Sequence, residues 1–404
     1  MTVANAPVLS PWKRRLFWLV LVLVVVTASE LIARLFLRVT RGYDGKHLYQ
    51  YVYDPYKNIL PTPNFVDLRG IRHNAEGFRR SSDTPRQKPP HTLRVFLMGA
   101  SAAYGLGGQW PFIQNTYAVL KNSETIDAYL EDSLRSAFPG YRVEVINAAI
   151  TSTWTHHNLI YLNQSILSYS PDLILSLDGY NDFYIYERGH DQFADYAYSM
   201  PARTIMGEPT LKALAYADAW WLWRKSAAAY VLGRAARMFK LMMTPRGPRT
   251  PIDTLAAYAG FERNFGQGPL KMLRRVGLIC RDEGVDVVFM LQPMLILERD
   301  RLATMPPIER KLFDFNVSSY LPNYEPFITR AVQHVREVEP RMANDVGATF
   351  LDLTQIFHGA QGQIFTDYTH FTPLGNQIIA RYVAERIKPI LAARIRRLEA
   401  PAGH

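Results

Sequence analysis

One serine in a run of small residues is the first candidate for chemistry. Ser101 lies within residues 99–103, Gly-Ala-Ser-Ala-Ala, directly after the apolar stretch of residues 95–98. Such a stretch is typical of a strand buried on both faces, and the small residues allow a turn that presents a hydroxyl at the start of a helix. Backbone N–H groups are unpaired there and can bind an anion. Because simple loops and phosphate cradles use similar turns, Ser101 needs partners before it indicates catalysis.

Those partners are an aspartate and a histidine far downstream. A serine hydroxyl is a weak nucleophile at neutral pH, so it needs a base within hydrogen-bonding reach and a carboxylate that fixes the tautomer of that base. Asp367 and His370 can fill these roles, because a spacing of three residues on a turn places both side chains on one side. A helix is expected to begin just behind them, at Pro373. In isolation, His370 would be interpreted as a capping or surface histidine.

Two further strands end in small or polar residues. Residues 145–152 are an apolar run that ends in Ala-Ala-Ile-Thr-Ser, and residues 173–182 are another that ends in Gly-Tyr-Asn-Asp. In a parallel sheet every strand delivers its exit loop to the same edge. The nucleophile candidate, the backbone turn at Ser152 and the side chain of Asn181 can therefore converge on a single site.

These blocks, in this order, resemble the SGNH (GDSL-type) hydrolase superfamily, as a membrane-anchored bacterial-type member. The resemblance covers roughly residues 90–395 apart from one insertion. It implies that Ser101 is the nucleophile, that His370 is the general base and that Asp367 is the carboxylate that orients the base. It also implies an oxyanion hole formed by the Asn181 side chain and by a backbone N–H at Ser152.

Two positions depart from the pattern of the superfamily. Ala100 stands where the name-giving aspartate is expected, and Ser152 stands where a glycine usually supplies the backbone donor. Serine also carries an N–H, so the oxyanion hole is still possible. A positive φ at this position, however, would be costly for any side chain.

Strand runs alternate with helical patterns through the part of the chain that carries these blocks. The predicted helices and the later strands lie near residues 123–138, 155–169, 270–283, 285–291, 325–343, 349–353 and 373–397. The alternation predicts a three-layer α/β/α sandwich around a parallel sheet of about five strands. The resemblance implies that this sandwich is flavodoxin-like, as in SGNH hydrolases.

The composition of the 404-residue chain is that of a globular protein, with 48% hydrophobic and 20% charged residues, and it excludes a disordered chain. The net charge of +10 fits solvated helix faces or a basic face near anionic headgroups, and we find no nucleic-acid-binding module. Cys280 is the only cysteine, so no internal disulfide can form. Its helical surroundings predict a small buried hydrophobe.

The amino terminus carries a candidate membrane segment. Residues 13–15, Lys-Arg-Arg, precede an apolar run at residues 16–28 that continues less cleanly to Leu37. A signal peptide would be cut after Ala28, whereas the full stretch reaches the roughly 20 residues that a spanning helix needs. We favour a retained single-pass anchor, with the downstream domain on the extracytoplasmic (periplasmic) side because the tail before the span is short.

The predicted organisation is an anchor at residues 1–38, a stalk or linker at residues 39–90 and a hydrolase domain at residues 91–397. Within that domain, residues 184–268 are an insertion that is too long for a simple crossover. Its apolar and aromatic part, residues 211–243, is studded with Arg and Lys. This pattern fits either a helix that lies on the membrane or a helical cap over the active site, and the cap is the favoured interpretation.

Together, the residues and the resemblance predict a membrane-anchored serine esterase that acts through an acyl-serine intermediate. The expected partner is an ester of an exported glycan, such as an O-acetyl group, or of a lipid, and no cofactor is expected. His156 and His157 begin a helical pattern, and adjacent helical side chains are expected to point apart, which argues against a shared metal. Two alternatives remain open. One is an O-acyltransferase on the same fold, and the other is a catalytically silent glycan-binding or assembly protein, which Ala100 and Ser152 would support.

Overall fold

The computed structural model describes most of the chain. It covers residues 10–54, 58–108, 117, 119–187, 225–243, 253–320 and 323–400. Within the chain there are two compact units, which we call the helical unit and the sheet unit. The helical unit combines Met1–Tyr49 with Pro201–Pro245, and the sheet unit combines Gln50–Met200 with Arg246–His404.

A five-stranded parallel sheet forms the centre of the sheet unit. The strands, in chain order, are β1 (Tyr51–Asp54), β2 (Asn58–Pro61), β3 (Val66–Asp67), β4 (Ile71–Arg72), β5 (Thr92–Gly99), β6 (Arg142–Asn147), β7 (Leu173–Asp178), β8 (Asp286–Leu291) and β9 (Thr349–Asp352). The first four form two small antiparallel pairs, and the other five form the sheet in the order β6-β5-β7-β8-β9. Counted within the sheet, this is the 2-1-3-4-5 order of flavodoxin-like folds, in which a crevice opens at the carboxyl ends of the strands where the order reverses. That point lies between β5 and β7.

Helices cover both faces of the sheet. The described helices, in chain order, are α1 (Pro11–Arg41), α2 (Ser101–Tyr104), α3 (Ile126–Ala137), α4 (Thr155–Gln164), α5 (Tyr180–Glu187), α6 (Ala227–Met243), α7 (Thr254–Phe265), α8 (Pro269–Asp282), α9 (Pro307–Phe315), α10 (Tyr324–Asp345) and α11 (Pro373–Glu399). Val95 of β5 belongs to a core shared with α3 and α11, whereas its neighbour Phe96 belongs to a second core shared with α4 and α8. Because neighbouring strand residues face opposite sides, the two cores make the predicted three-layer sandwich.

Most of the predicted elements agree with the structure to within a few residues. The apolar stretch of residues 95–98 lies inside β5, and the strands predicted at residues 285–291 and 349–353 are β8 and β9. The helix predicted at residues 155–169 is divided, because α4 ends at Gln164 and a separate 3₁₀ helix follows. Cys280 is buried in α8, as predicted. Buried parallel strands are continuous apolar runs, which is why the sequence locates them well.

The stalk predicted at residues 39–90 is wrong for most of its length. From Gln50 onwards the segment belongs to the sheet unit. The ring of Phe78 lies in the core beside Phe96, with ring centroids 5.5 Å apart. The buried guanidinium of Arg79 donates to three carbonyl oxygens, those of Tyr104 (2.7 Å), Gly105 (2.7 Å) and Leu120 (2.6 Å). The segment is held by single long-range contacts, which leave no periodic pattern in the sequence.

In the helical unit, α1 packs against α6. Ala33 and Leu37 of α1 are buried together with Ala227 of α6. By length and composition α1 is able to cross a membrane, and its apolar side chains at residues 16–26 are exposed. Of the predicted cap at residues 211–243, the described part from Ala227 onwards is the helix α6, which packs against α1, and its role as a cap stays a prediction. The rest of the predicted insertion at residues 188–224 and 244–252 lies outside the described residues.

Candidate active site

Ser101 is the first residue of α2, immediately beyond the carboxyl end of β5. The turn before it requires a glycine, because Gly99 has a φ of +143° and a Cβ there would lie 2.5 Å from the carbonyl oxygen of Leu177. The N–H of Ser101 is in the first turn of α2, where the helix itself offers no acceptor. The strand and turn therefore bring a hydroxyl and an N–H group to the crevice edge of the sheet.

His370 connects Ser101 to Asp367 through its two ring nitrogens. Nε2 lies 2.8 Å from Oγ of Ser101, and Nδ1 lies 2.7 Å from Oδ2 of Asp367. Because an ionised carboxylate only accepts hydrogen bonds, Nδ1 carries a proton, and Nε2 of the neutral ring can then accept the hydroxyl proton of Ser101. Both distances are those of formed hydrogen bonds, so the hydroxyl lies within reach of a ring nitrogen that can accept its proton.

Asp367 is fully buried and surrounded by donors. Its Oδ1 accepts hydrogen bonds from the backbone N–H groups of Thr369 (3.0 Å) and His370 (2.9 Å). Burial raises the pKa of Asp367, but the attraction to His370 and these hydrogen bonds outweigh it and hold the pKa below its ordinary value. Asp367 is therefore ionised at neutral pH, where it fixes the His370 tautomer and can stabilise an imidazolium.

The loop that carries His370 is supported by a residue that the sequence analysis missed. The N–H of Thr366 donates to the carbonyl oxygen of His370 (2.8 Å), which closes the loop on itself. Gln292, directly after β8, is buried, and its Nε2 donates to the carbonyl oxygen of Thr369 (3.1 Å). The available signal was a polar residue followed by Pro293 at the end of an apolar strand.

The loops after β6 and β7 lie on either side of β5. The β6 loop stays paired with β5, since the N–H of Ile150 donates to the carbonyl oxygen of Gly99 (3.1 Å). In the first turn of α5, Nδ2 of Asn181 donates to the carbonyl oxygen of Thr153 (2.6 Å). This bond uses one of the two amide hydrogens and leaves the other for a ligand. The loops of the two predicted oxyanion donors, Asn181 and Ser152, are thus tied together beside the turn that leads to the nucleophile.

Ser152 has the positive φ that the sequence analysis identified as costly. Its φ is +60°, and its side chain is exposed. The left-handed conformation costs a residue with a Cβ about 1–2 kcal/mol. The backbone at Ser152 therefore has a left-handed conformation that glycine adopts without strain, and it keeps its N–H group.

Replacing Ser152 with glycine is expected to raise the free energy of unfolding by up to about 1 kcal/mol, because the strain disappears while some chain entropy is lost. The kcat is expected to stay within about twofold, since the N–H is unchanged. Denaturant unfolding and ester hydrolysis measure the two quantities. Ser152→Ala, which keeps the Cβ, is the control and should change neither. A large loss of kcat in Ser152→Gly would mean that the hydroxyl, rather than the backbone, takes part.

Replacing Asn181 with alanine is expected to lower kcat by about 10²- to 10³-fold with little change in KM, the usual loss for one oxyanion donor. Steady-state kinetics on a soluble acetyl ester measures this effect. Asn163→Ala, on the exposed face of α4, is the matched control and should behave as wild type. An unchanged kcat in Asn181→Ala would remove this residue from the oxyanion hole.

Two aspartates near Asn181, the half-buried Asp178 and the buried Asp182, support α4 and take no part in the hydrogen-bonded relay of Ser101, His370 and Asp367. Asp182 accepts hydrogen bonds from the N–H (3.3 Å) and the hydroxyl (2.9 Å) of Thr155, at the first residue of α4. Asp178 accepts from Nδ2 of Asn158 (2.9 Å). Burial raises the pKa of Asp178, and burial together with the charge of Asp178 raises the pKa of Asp182. Through these hydrogen bonds the two aspartates fix the helix that follows the Ser152 loop.

His156 and His157 do not point apart, and this prediction was wrong. Their rings stack with centroids 4.5 Å apart and an interplanar angle of 24°, and the ring of Trp154 meets His157 edge-on at 4.9 Å. Side-chain torsions at a helix start can turn adjacent rings towards each other when a third ring completes the cluster. Burial lowers the pKa of His156 to about 4 and that of His157 to about 3, so both rings are neutral at pH 7. Over the described ranges, no three His, Cys, Asp or Glu side chains are grouped to hold a metal ion.

Comparison with known proteins gives only distant structural similarity. No protein-family model and no curated protein matches the chain. Among solved structures it resembles Axe2, an acetylxylan esterase from Geobacillus stearothermophilus, at 14% identity and a TM-score of 0.36, over 73% of this chain and 94% of that one. It also resembles the acetyl xylan esterase AlAXEase, at 12% identity and a TM-score of 0.38, over 73% of this chain and 100% of that one. Similarity at this level carries no weight for the chemistry, which is taken from the geometry of the relay.

Proposed function

We propose that the protein is a serine esterase of the SGNH type that hydrolyses a carboxylic ester through an acyl-serine intermediate. The observation that carries the proposal is the continuous relay from Ser101 through His370 to Asp367, with heavy-atom distances of 2.8 and 2.7 Å. A buried ionised carboxylate on one ring nitrogen and a hydroxyl on the other is the arrangement that activates serine for attack on a carbonyl. The order of the sequence blocks supports the SGNH type.

Acylation begins when Oγ of Ser101 attacks the carbonyl carbon of the ester and Nε2 of His370 takes the hydroxyl proton. The C=O π electrons move to the carbonyl oxygen, so the tetrahedral intermediate carries an oxyanion. When it collapses, the C–O bond to the alcohol breaks, and the imidazolium gives its proton to the departing alkoxide. Asp367 stays ionised throughout and stabilises the imidazolium.

Three donors are positioned for the oxyanion in this proposal. They are the N–H of Ser101, the N–H of Ser152 and the second amide hydrogen of Asn181, and they come from the exits of three adjacent strands. In deacylation, water takes the place of the serine hydroxyl: it gives a proton to Nε2 of His370 and attacks the acyl carbon. The free acid leaves, and the Ser101 hydroxyl is restored.

The departures from the superfamily pattern do not impair this chemistry. Ala100 acts through its backbone, since its carbonyl oxygen accepts from the N–H of Tyr104 (2.9 Å) and so closes α2. The backbone at Ser152 has the left-handed conformation and keeps its N–H. A catalytically silent glycan-binding or assembly protein would have no need of the relay that ends on buried Asp367.

The substrate class that we propose is an O-acyl ester, such as an O-acetyl group, on an exported glycan, with a lipid ester as the second choice. This choice depends on α1, which we propose to be a retained membrane anchor that holds the enzyme on the extracytoplasmic (periplasmic) side. Such a position would give access to glycans and lipids outside the cytoplasm. The cationic residues before the apolar run and the length of α1 support the anchor.

The proposal predicts that free acetate, rather than a transferred acetyl group, is the main product from an acetylated oligosaccharide. Water is far more concentrated than any sugar acceptor, so transfer would need a site that positions the acceptor. Both products should be measured by mass spectrometry with and without an unacetylated oligosaccharide acceptor, and with Ser101→Ala as the blank. Transfer in excess of free acetate would contradict hydrolysis and identify an O-acyltransferase with the same relay.

A further inference from the structure

The apolar run of α1 is too short to cross a membrane by itself. Residues 16–28 extend for about 20 Å at 1.5 Å per residue, whereas the hydrocarbon core of a bilayer is about 30 Å thick. A helix that crosses the core must therefore use the next turns of α1 as well. Those turns contain Glu30 and Arg34. Charged side chains at this depth are expensive unless they are paired.

The pairing is supplied by the first turn of α6. Glu30 forms an ion pair with Arg34 (2.7 Å) and accepts hydrogen bonds from the N–H groups of Ala227 (2.9 Å) and Ala228 (3.0 Å) and from the hydroxyl of Ser226 (2.8 Å). The carboxylate thus caps α6 and satisfies N–H groups that the helix leaves unpaired. It follows that α6 begins beside Glu30, in the last turns of the span.

α6 has one face on α1 and another that is exposed. Ala227 is buried against α1, and the ring of Tyr230 lies 5.1 Å from that of Tyr49. The exposed face carries a stripe of apolar side chains, which we call the α6 stripe: Leu232 (66% exposed), Ala236, Phe239 (65%) and Met243 (67%). The spacing of four, three and four residues places these side chains on one side of the helix over about 17 Å. Arg234 projects to the other side, where it donates to the hydroxyl of Tyr230 (3.1 Å).

The exposed apolar surface of α1 continues past the start of α6. Beyond Glu30, five apolar residues of α1 are more than half exposed: Leu31, Ile32, Leu35, Phe36 and Val39. In water, two adjoining helices with apolar surface of this extent would be unfavourable. In the interfacial region of a bilayer, the same surface is what an amphipathic helix uses to bind.

We propose that α6 lies in the interfacial region of the membrane that α1 enters, with the α6 stripe in contact with acyl chains. The occupant of the stripe is therefore lipid, rather than a second copy of the chain or another part of it. The inference goes beyond ester hydrolysis and rests on the proposed anchoring by α1. It assigns to α6 the role of fixing the orientation of the anchor, through the Glu30 cap, and of adding lipid contact outside the span.

The test uses the full-length protein in nanodiscs with one copy per disc. In a Cys280→Ala background, which removes the only cysteine, single cysteines are introduced by Leu232→Cys, Phe239→Cys and Met243→Cys and labelled with an environment-sensitive fluorophore. Arg234→Cys reports the opposite side of α6, and Val22→Cys reports the span of α1. Nitroxide-labelled lipids and aqueous acrylamide are the two quenchers, and ester hydrolysis shows that each variant is folded.

The three stripe positions are expected to lose emission with nitroxide lipids and to be protected from acrylamide, whereas position 234 should show the reverse. Quenching of the stripe by acrylamide would overturn the proposal, because the stripe would then face water. Protection from both quenchers would also overturn it, because protein would then cover the stripe. The label at Val22→Cys separates the proposal that α1 spans the membrane from the proposal that α6 lies in its interfacial region. If nitroxide lipids quench the label at position 22 but not the labels on the α6 stripe, the anchor proposal stands and the α6 proposal fails. If they do not quench the label at position 22, α1 does not span the membrane, and both proposals fail.

Discussion

Replacing Ser101 with alanine is expected to abolish fluorophosphonate labelling and to lower kcat by at least about 10⁴-fold. In the proposed mechanism Oγ of Ser101 forms the bond to the acyl carbon, and alanine leaves no atom in its place. The side chain is only partly buried and its hydrogen bond goes to His370, so its loss should cost about 1 kcal/mol of stability. Circular dichroism and thermal unfolding should therefore remain close to wild type.

Labelling of the wild-type protein should map by mass spectrometry to Ser101 alone. Ser152→Ala is the matched control, because this serine lies on the neighbouring loop, is exposed and, among the described residues, forms no hydrogen bond to a histidine. It should label at the wild-type rate. An adduct that persists in Ser101→Ala, or one that maps to Ser152, would show that the nucleophile has been assigned to the wrong residue.

Asp367→Asn is expected to lower kcat by about 10⁴-fold while leaving KM nearly unchanged. The amide that replaces the carboxylate can turn its NH₂ group towards Nδ1 of His370, which then has to accept. The ring proton moves to Nε2, and the ring can no longer take the proton of Ser101. His370→Ala should be at least as damaging, because it removes the base altogether.

The control for this variant is Asp300→Asn. Asp300 pairs with His358 through Nδ1 as well, but both side chains are exposed and lie outside the relay. This variant should keep wild-type kinetics. If Asp367→Asn kept more than about a tenth of the wild-type kcat, Asp367 would be a structural carboxylate and the relay would stop at His370.

The pairing of Asp367 with His370 sets the expected pH dependence of kcat. Because the pKa of Asp367 is held below its ordinary value, this carboxylate stays charged as the pH falls towards about 4. Any loss of kcat between about pH 8 and pH 5 should then follow protonation of an imidazole, so the rate should rise with pH over this interval. A rate that is flat over the interval would argue against a histidine base.

The sequence predicted those parts of the fold that depend on continuous patterns. The sheet strands and the helices between them were located because buried parallel strands are apolar runs and surface helices repeat every 3.6 residues. The three residues that the structure joins by hydrogen bonds were among the predicted site residues, since Ser101 follows a recognisable strand end and Asp367 and His370 are three residues apart just before a helix. The parallel sheet then explains why residues so far apart in sequence can meet at one edge.

The parts that were not predicted depend on single long-range contacts. Gln292 supports the histidine loop through one amide, and Arg79 joins the segment after Gln50 to α2 through carbonyl oxygens. The cap that Glu30 provides for α6 links residues almost 200 positions apart. Each contact involves a polar side chain and a backbone group, and a backbone group has no signature in the sequence.

Because Ser101 needs its hydrogen bond to His370, esterase activity can arise only after His370 has been synthesised. The two residues are 269 positions apart, so at a synthesis rate of about 5–20 residues per second the histidine is made roughly 15–50 s after the serine. During that interval the serine hydroxyl has no base, and the nascent chain cannot attack esters in the compartment where it is made. Reactivity begins only when the segment that carries His370 has docked beside β5, so a product that ends before residue 370 is expected to lack esterase activity.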